Sequence, residues 1–461
     1  MSTFSGLTTA YSGLAAARAG LDVTGQNIAN ATTQGYTRQR VETAATAPAR
    51  PSLFTTGVRA GEGVLATGIA RLGDAHLEAR VRITAGAAGY TAVRAQAFAT
   101  LEDGLREPGA HGVSASLQDF WAGWQEVSNA PEKGAPASTL LAAAGQLTSR
   151  IAAGYREVES QWATSRSTAT SLVTEVNAAA TQVADLNRQI RSAVAAGTSA
   201  NELVDRRTTL TSTLAALTGA TVRDNANGMA DVLVAGSALV SGVTARALQV
   251  TGPAGLDGAG SVQIEWADLP GASAGIETGE LAATLSLLAR AEDGGPLAQA
   301  AAGYNAFATT LAEKVNTLHT GAGKGPFFAY DPDRAAASLD VLPTGRDQLA
   351  AGAPGASGFD GSVALAISEI GQGPGSPDAA WSAFVVDLGA AARTELQGNA
   401  LAEVSATSAL RQQLGATSVS MDEEQVNLLQ YQHAYQGAAR VMTAVDEMLD
   451  VLINRMGIVG R

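Results

Sequence analysis

The chain has 461 residues, 46% of them apolar, which is enough for two or three domains with packed cores. Aromatic residues make up only 5%, and 51 glycines are present, so thin helical bundles are favoured over a large aromatic core. A net charge of −13 argues against nucleic-acid binding through a general basic surface, and the absence of cysteine excludes disulfides, thiolate metal sites and a cysteine nucleophile. Residues 1–30 show no basic stretch followed by a continuous apolar run, so no cleavable Sec-type signal is expected. No window is long and apolar enough to span a bilayer, so no membrane insertion is expected.

The N-terminus places Phe4, Leu7, Tyr11, Leu14, Leu21 and Ile28 on one heptad stripe, with Arg18 and Gly25 filling two of its positions. Ser2 can cap this helix and Asn30 can end it. Gly6, Gly13, Gly20 and Gly25 each cost about 1 kcal/mol relative to alanine, so the helix needs tertiary packing to exist. Thr32, Thr33 and Gly35 then break it, and an extended segment follows. Asn30-Ala31-Thr32 has the form of a glycosylation sequon and reads as a turn. Residues 42–75 read as a linker containing Pro48 and Pro51, with a short strand at 64–69.

A helix over 74–107 stops at Pro108-Gly109, and another spans 114–128. Leu117, Phe120, Trp121, Trp124 and Val127 give the second one a packing face. Residues 136–152 are helical again. From Tyr155 to Ala196 an unbroken heptad runs through Leu172, Val176, Ala179, Val183, Leu186, Ile190 and Ala193. With 201–217 it predicts a helical hairpin arm turning at 197–199. Asp205, Arg206 and Arg207 read as a solvated helix face with local pairs.

At Gly219 the period changes to alternation. Strands are predicted at 220–224, 230–234, 247–251 and 261–266, with Asn227-Gly228 as a hairpin signal. Helices return at 278–290 and 297–319. Residues 320–378 are rich in Gly and Pro, with possible strands at 339–342 and 363–367, and a helix covers 379–414.

The final stretch carries a second stripe: Leu428, Tyr431, Tyr435, Ala438, Met442, Val445, Leu449, Leu452, Met456 and Val459, spaced alternately by three and four. Ser420 and Glu423 form a capping box, with Asp422, Glu423 and Glu424 at the positive end of the helix dipole.

The search for chemistry returns no candidate catalytic, cofactor-binding or metal-ligating residue. His76, His111, His319 and His433 are scattered singly. Gly321–Gly325 lacks the flanks of a phosphate loop, Asp331-Pro332-Asp333 lacks the rest of a calcium loop, and no nucleophile elbow occurs. The expectation is a structural protein and not an enzyme.

The N-terminal helix, NIANATTQGYTRQRV at 27–41 and SMDEEQVNLLQYQHAYQGAARVMTAVDEMLDVLINR at 420–455 together resemble the axial proteins of the bacterial flagellum. ANELVDRRTTLTSTLAALTGATV at 200–222 and GKGPFFAYDP at 323–332 resemble the hook-associated protein 1 family, which forms the hook–filament junction. That family usually carries Thr-Pro-Gly-Tyr where this chain has Thr33-Gln34-Gly35-Tyr36.

The readings combine into an α+β, mainly α fold. A discontinuous coiled-coil-like terminal domain comes from 1–45 and 415–461. A helical-bundle middle domain comes from 46–217 and 277–414, with a small inserted β domain at 218–276. A further outer insertion is expected to be absent or vestigial, since the chain returns quickly to SLDVLP at 338–343. The resemblance implies an assembly interface at Phe4, Leu7, Tyr11, Leu14, Leu21, Asn27, Ile28, Asn30, Gly35 and Tyr36. On the C-terminal helix it implies Leu428, Tyr431, Tyr435, Met442, Val445, Leu449, Leu452 and Met456. It further implies as partners other copies of the chain, the hook protein, a second junction protein and an export chaperone at the C-terminal helix. Type III export to an extracellular flagellum follows from the same resemblance. A hook or rod subunit is the nearer alternative, and an enzyme or adhesin on the β domain the more distant one.

Overall fold

The computed structural model describes residues 3–47, 61–258, 260–451 and 453. Helix α1 (Thr3–Ala29) leads through a turn to β1 (Gln39–Ala45), which pairs antiparallel with β2 (Val64–Arg71). Gln39 lies opposite Arg71 and Val41 opposite Ile69, with a bulge between Glu42 and Thr43. The boundary expected at residue 45 therefore cuts through a sheet whose second strand lies at 64–71. The extended terminal segment needs that strand to satisfy its backbone.

Next come α2 (Ala75–Leu105), α3 (Val113–Asn129), α4 (Gly134–Ala195) and α5 (Asn201–Thr218). Asp74 starts α2 by accepting the His76 and Leu77 N–H groups at 2.8 and 3.0 Å. The helix α4 is one 62-residue rod, where the sequence reads as two pieces. Gly154 at the join serves packing and does not break the helix, because a Cβ there would overlap the Tyr304 ring.

The strands β3 (Thr221–Asp224), β4 (Ala230–Val234), β5 (Ser237–Ser241) and β6 (Thr244–Ala245) form one antiparallel sheet in sequence order. A second contains β7 (Leu248–Thr251), β8 (Gln263–Trp266) and β9 (Leu269–Ser273). Two asparagines of α4 fasten these sheets to the arm. The Asn187 amide donates to the Ala230 and Gly242 carbonyls at 2.7 and 2.6 Å and accepts the Ala230 N–H. Asn177 does the same for both backbone groups of Leu248.

The chain continues through α6 (Gly279–Leu287), α7 (Pro296–Gly321), β10 (Phe328–Ala329), α8 (Ala335–Ser338), β11 (Asp340–Val341), α9 (Ser362–Ser368), α10 (Pro377–Thr417) and α11 (Met421–Asp450). The possible strand at 363–367 is the helix α9. Its buried apolar residues, Ala364 and Ile367, are three apart, a helical spacing that so short an apolar run does not distinguish from alternation.

The middle of the molecule is an aromatic core. Phe120 and Trp124 of α3 meet Phe327 and Phe328, while Tyr304, Phe307 and Trp381 stack nearby. Asn316 holds the Phe327-Phe328 backbone by accepting both N–H groups at 2.8 Å. Below this core, α2 and α10 run antiparallel as a two-helix stem. Arg94 pairs with Glu395 at 2.6 Å, and Arg80 donates to Gln412 at 2.9 Å.

His319 is fully buried beside Trp124 and Phe327. Its Nε2 accepts the Ala350 N–H at 3.1 Å, so the proton sits on Nδ1, facing the Gly325 carbonyl at 2.5 Å. Burial pushes its pKa below the usual 6.5, and Lys324 adds to this, against the opposing hydrogen bond to Gly325. The unfolded chain therefore takes up a proton first as pH falls below about 6.5. This contribution to stability is intact above that pH and is lost on acidification. Urea midpoints should fall between about pH 7 and 5, and His319→Gln should flatten the slope. An unchanged slope in the variant would remove His319 as the cause.

Candidate functional site: the paired termini

The helices α1 and α11 lie antiparallel along a seam built on α1 from very small residues. Gly6 faces Val445, with a Cβ placed there 3.7 Å from its side chain, and Gly13 faces Ala438 at 3.8 Å. A Cβ on Gly20 would fall on the Tyr431 ring, and Asn27 meets Glu424 at 3.2 Å. Each step of seven forward on α1 is a step of seven back on α11, so the register is constant. Ala10, Ala17 and Thr24 fill the intervening positions and are buried. The N-terminal glycines thus let the two backbones approach and place the ring of Tyr431 against α1.

This corrects the expected facing of α1. Leu7, Leu14, Leu21 and Ile28 are only half-buried and lie one position round the helix from the seam. Tyr11 is 65% exposed. The heptad of large residues is real, but the small-residue stripe beside it makes the contact, because an α-carbon without bulk permits closer packing. The α11 stripe divides: Tyr431, Ala438 and Val445 face α1, while Leu428, Tyr435, Met442 and Leu449 flank that line on one side. Val445 is buried, and Leu428, Tyr431, Met442 and Leu449 are half-buried, with Tyr435 exposed at the margin. The side chain of Phe4, and Leu452, Met456 and Val459, lie outside the described residues.

One end of the seam closes in a polar knot. Asn27 and Glu424 are each 1% exposed. The Asn27 amide donates to the Gln39 carbonyl at 2.9 Å and to Glu424 at 3.2 Å. Its oxygen accepts the Tyr36 hydroxyl at 2.8 Å and the Gln39 N–H at 3.0 Å. Every hydrogen-bonding capacity of the side chain is used. Arg38 bridges Glu424 at 2.7 Å and Glu423 at 2.5 Å, and its N–H donates to the Thr417 carbonyl at 3.0 Å. Burial would lower the Arg38 pKa, but the hydrogen bond to Glu423 and the charges of Glu424 and Glu423 outweigh it and raise it.

The turn between α1 and β1 aims these groups. Asn30 ends the helix by donating to the Gln26 carbonyl at 3.0 Å, and it accepts the Thr33 hydroxyl at 3.2 Å. The Tyr36 N–H bonds the Thr33 carbonyl at 3.2 Å, and Gly35 sits at φ +79°. Gln34 thus occupies the turn without proline. A side chain at Gly35 would be strained and would approach Thr209 to 2.8 Å. Tyr36 stays a neutral donor: burial, then Glu202, Asp205 and Glu424, push its pKa up to about 12.

Asp205 joins this knot to the arm, contrary to its reading as part of a solvated face. It is buried, accepts the Thr37 N–H at 3.0 Å and pairs with Arg71 at 2.6 Å. Arg71 also pairs with Glu78 at 2.7 Å. Arg207 is likewise buried, donating to Asn187 at 3.0 Å and the Gly228 carbonyl at 2.7 Å. Both partner sets are distant in sequence, so local charge spacing carried no signal for them.

The comparisons with known proteins follow the same division of the chain. Residues 98–324 match the family described as flagellar hook-associated protein FlgK helical domain. Residues 7–37 match the flagella basal body rod protein family, and 412–456 the flagellar basal body rod FlgEFG protein C-terminal family. The chain is 28% identical to flagellar hook-associated protein 1 of Bacillus subtilis, over the whole of both chains. It is 31% identical to the protein of that name from Salmonella typhimurium, over 52% of this chain and 43% of that one. The solved structure of the flagellar hook junction protein FlgK from Burkholderia pseudomallei superposes with a TM-score of 0.63 at 15% identity, covering 74% of this chain and all of that one. This last match concerns the fold alone.

Removing the buried carboxylate should loosen the termini selectively. Glu424→Ala leaves Arg38 and Asn27 without their shared partner and should destabilise the α1–α11 pair by about 3 kcal/mol. Glu423→Ala, at the 62% exposed partner, should cost less than about 1 kcal/mol. Amide hydrogen exchange in α11 reads both, and equal effects would contradict the assigned roles.

Proposed function

The chain belongs to the flagellar hook-associated protein 1 family, and from that premise we propose how its termini serve the hook–filament junction. The protein is a structural subunit of the bacterial flagellum that connects hook to filament. It does so by burying one face of its paired terminal helices against neighbouring subunits.

The observation that carries this is the face left open beside the seam. With about 100° between successive residues, Leu7, Leu14, Leu21 and Ile28 of α1 fall on the same side of the antiparallel pair as Leu428, Tyr435, Met442 and Leu449 of α11. The β1–β2 sheet covers the opposite side, where the Val64 N–H bonds the Ser12 hydroxyl at 3.3 Å. Two helices thus present aligned apolar stripes that the chain's own fold does not cover, and burying them supplies the driving force for assembly. Further copies of the chain, hook protein and a second junction protein are the neighbours in this reading. Export through the flagellar type III apparatus, with a chaperone on α11 beforehand, fits a helix whose apolar stripe needs cover until assembly.

The hook-or-rod alternative shares the terminal segments. The match over 98–324 to the hook-associated helical domain favours the junction protein. Cells lacking the gene should build hooks and shed filament subunits into the medium. Complementation with Leu14→Asp or Leu449→Asp should fail, since each buries a charge in the open face. Normal filaments in the deletion strain would refute the function, loss of hooks would select the alternative, and full rescue by both variants would refute the face.

A further inference from the structure

Among the described residues, the open face carries two charges of opposite sign, Arg18 and Asp446, that form no ion pair. Arg18 occupies one heptad position of the α1 stripe, between Leu14 and Leu21. Asp446 lies on α11 between Met442 and Leu449, one turn from each. Both are exposed, and neither forms an ion pair among the described residues. Arg18 makes none with Asp22, one turn along its own helix. Nor can the two charges meet within one chain. The constant register puts His433 across from Arg18, and Asp446 is thirteen residues further, a distance of about 20 Å at about 1.5 Å per residue.

Arg18 borders the leucine stripe, so packing that stripe against a neighbouring subunit brings its guanidinium to the contact. A guanidinium stripped of water needs an anion, since an unpaired buried charge costs several kcal/mol. On the same face of another copy, Asp446 is a carboxylate with the same unmet need. We infer that Arg18 of one copy pairs with Asp446 of a second copy when the open faces assemble, and that this pair fixes the axial offset between neighbouring subunits. The inference rests on the proposed assembly face and adds the partner residues and the offset. Apolar stripes with a heptad repeat can slide by whole heptads with little change in contact, whereas a single pair of buried charges admits one offset.

A charge-reversal cycle tests it in cells lacking the native copy. Arg18→Glu and Asp446→Arg should each lower the fraction of filament-bearing cells about tenfold or more, as expected for a loss above about 1.4 kcal/mol. The double variant should recover most of the loss. A double variant no better than the singles, or singles equal to the native protein, would overturn the pair. Leu14→Asp in the same strain separates the two ideas: if it still blocks assembly, the face stands although the pair has failed. Because the chain has no cysteine, a second readout does not depend on the reversal variants folding. Arg18→Cys and Asp446→Cys proteins, mixed in assembled junctions and oxidised, should cross-link between chains only when both are present. Absence of that mixed cross-link, in junctions that still assemble, would also overturn the inference.

Discussion

The arrangement of the termini depends on one buried carboxylate. Glu424 sits at the start of α11 with almost no solvent contact, held by Arg38 and Asn27. Removing such a group from water is costly unless its partners are in place, and they are in place at one register of α1 against α11. The rest of the seam would not choose that register. Gly6, Ala10, Gly13 and Ala17 offer a smooth groove in which the helix could shift by a heptad and bury nearly the same surface. The seam supplies closeness, and the knot supplies position.

The same knot fixes the terminal pair to the rest of the molecule. Tyr36, Arg38 and Gln39 belong to one short segment, and each reaches a different element. Asp205 of α5 holds the backbone of that segment and the end of β2 together through Thr37 and Arg71. A force or torque applied to the terminal helices is therefore passed to the long arm through charge-assisted hydrogen bonds as well as through the α2–α10 stem. For a subunit connecting hook to filament, such a connection would join the proposed assembly face to the outer domains. Closing the seam with small residues also leaves the large apolar ones facing outward. In the proposed assembly, the intramolecular and intermolecular surfaces occupy adjacent stripes of the same two helices.

How far the sequence revealed this depended on the size of the side chains. The α11 stripe was legible because Leu428, Tyr431, Met442 and Val445 are large and regularly spaced. The true α1 seam was hidden because glycine, alanine and threonine do not register as a hydrophobic stripe, while the neighbouring leucines do. Glu424 read as part of an acidic first turn, favourable to the helix dipole, and nothing local marked it as buried. Asp205 and Arg207 were misread for a related reason: their partners, Thr37, Arg71, Asn187 and Gly228, come from other elements. The major helices were legible from period and breakers. The strands β5, β6, β9 and β10 were missed, each being five residues or fewer. The mainly α fold and the flagellar family were recognisable from contiguous motifs, whereas the knot is an assembly of single residues from five segments.

The central claim is the fixed antiparallel register of α1 against α11. A chain without cysteine allows a direct measurement. In the protein carrying Gly13→Cys and Ala438→Cys, the two Cβ atoms are 3.8 Å apart, the typical Cβ separation across a disulfide of about 3.8 Å. Mild oxidation of this purified double variant should produce a rapid cross-link within one chain, detected by peptide mapping, while Gly13→Cys with Tyr431→Cys, one heptad out of register, should produce none. A cross-link in the second pair and not in the first, or links only between chains, would contradict the register and with it the account of the termini.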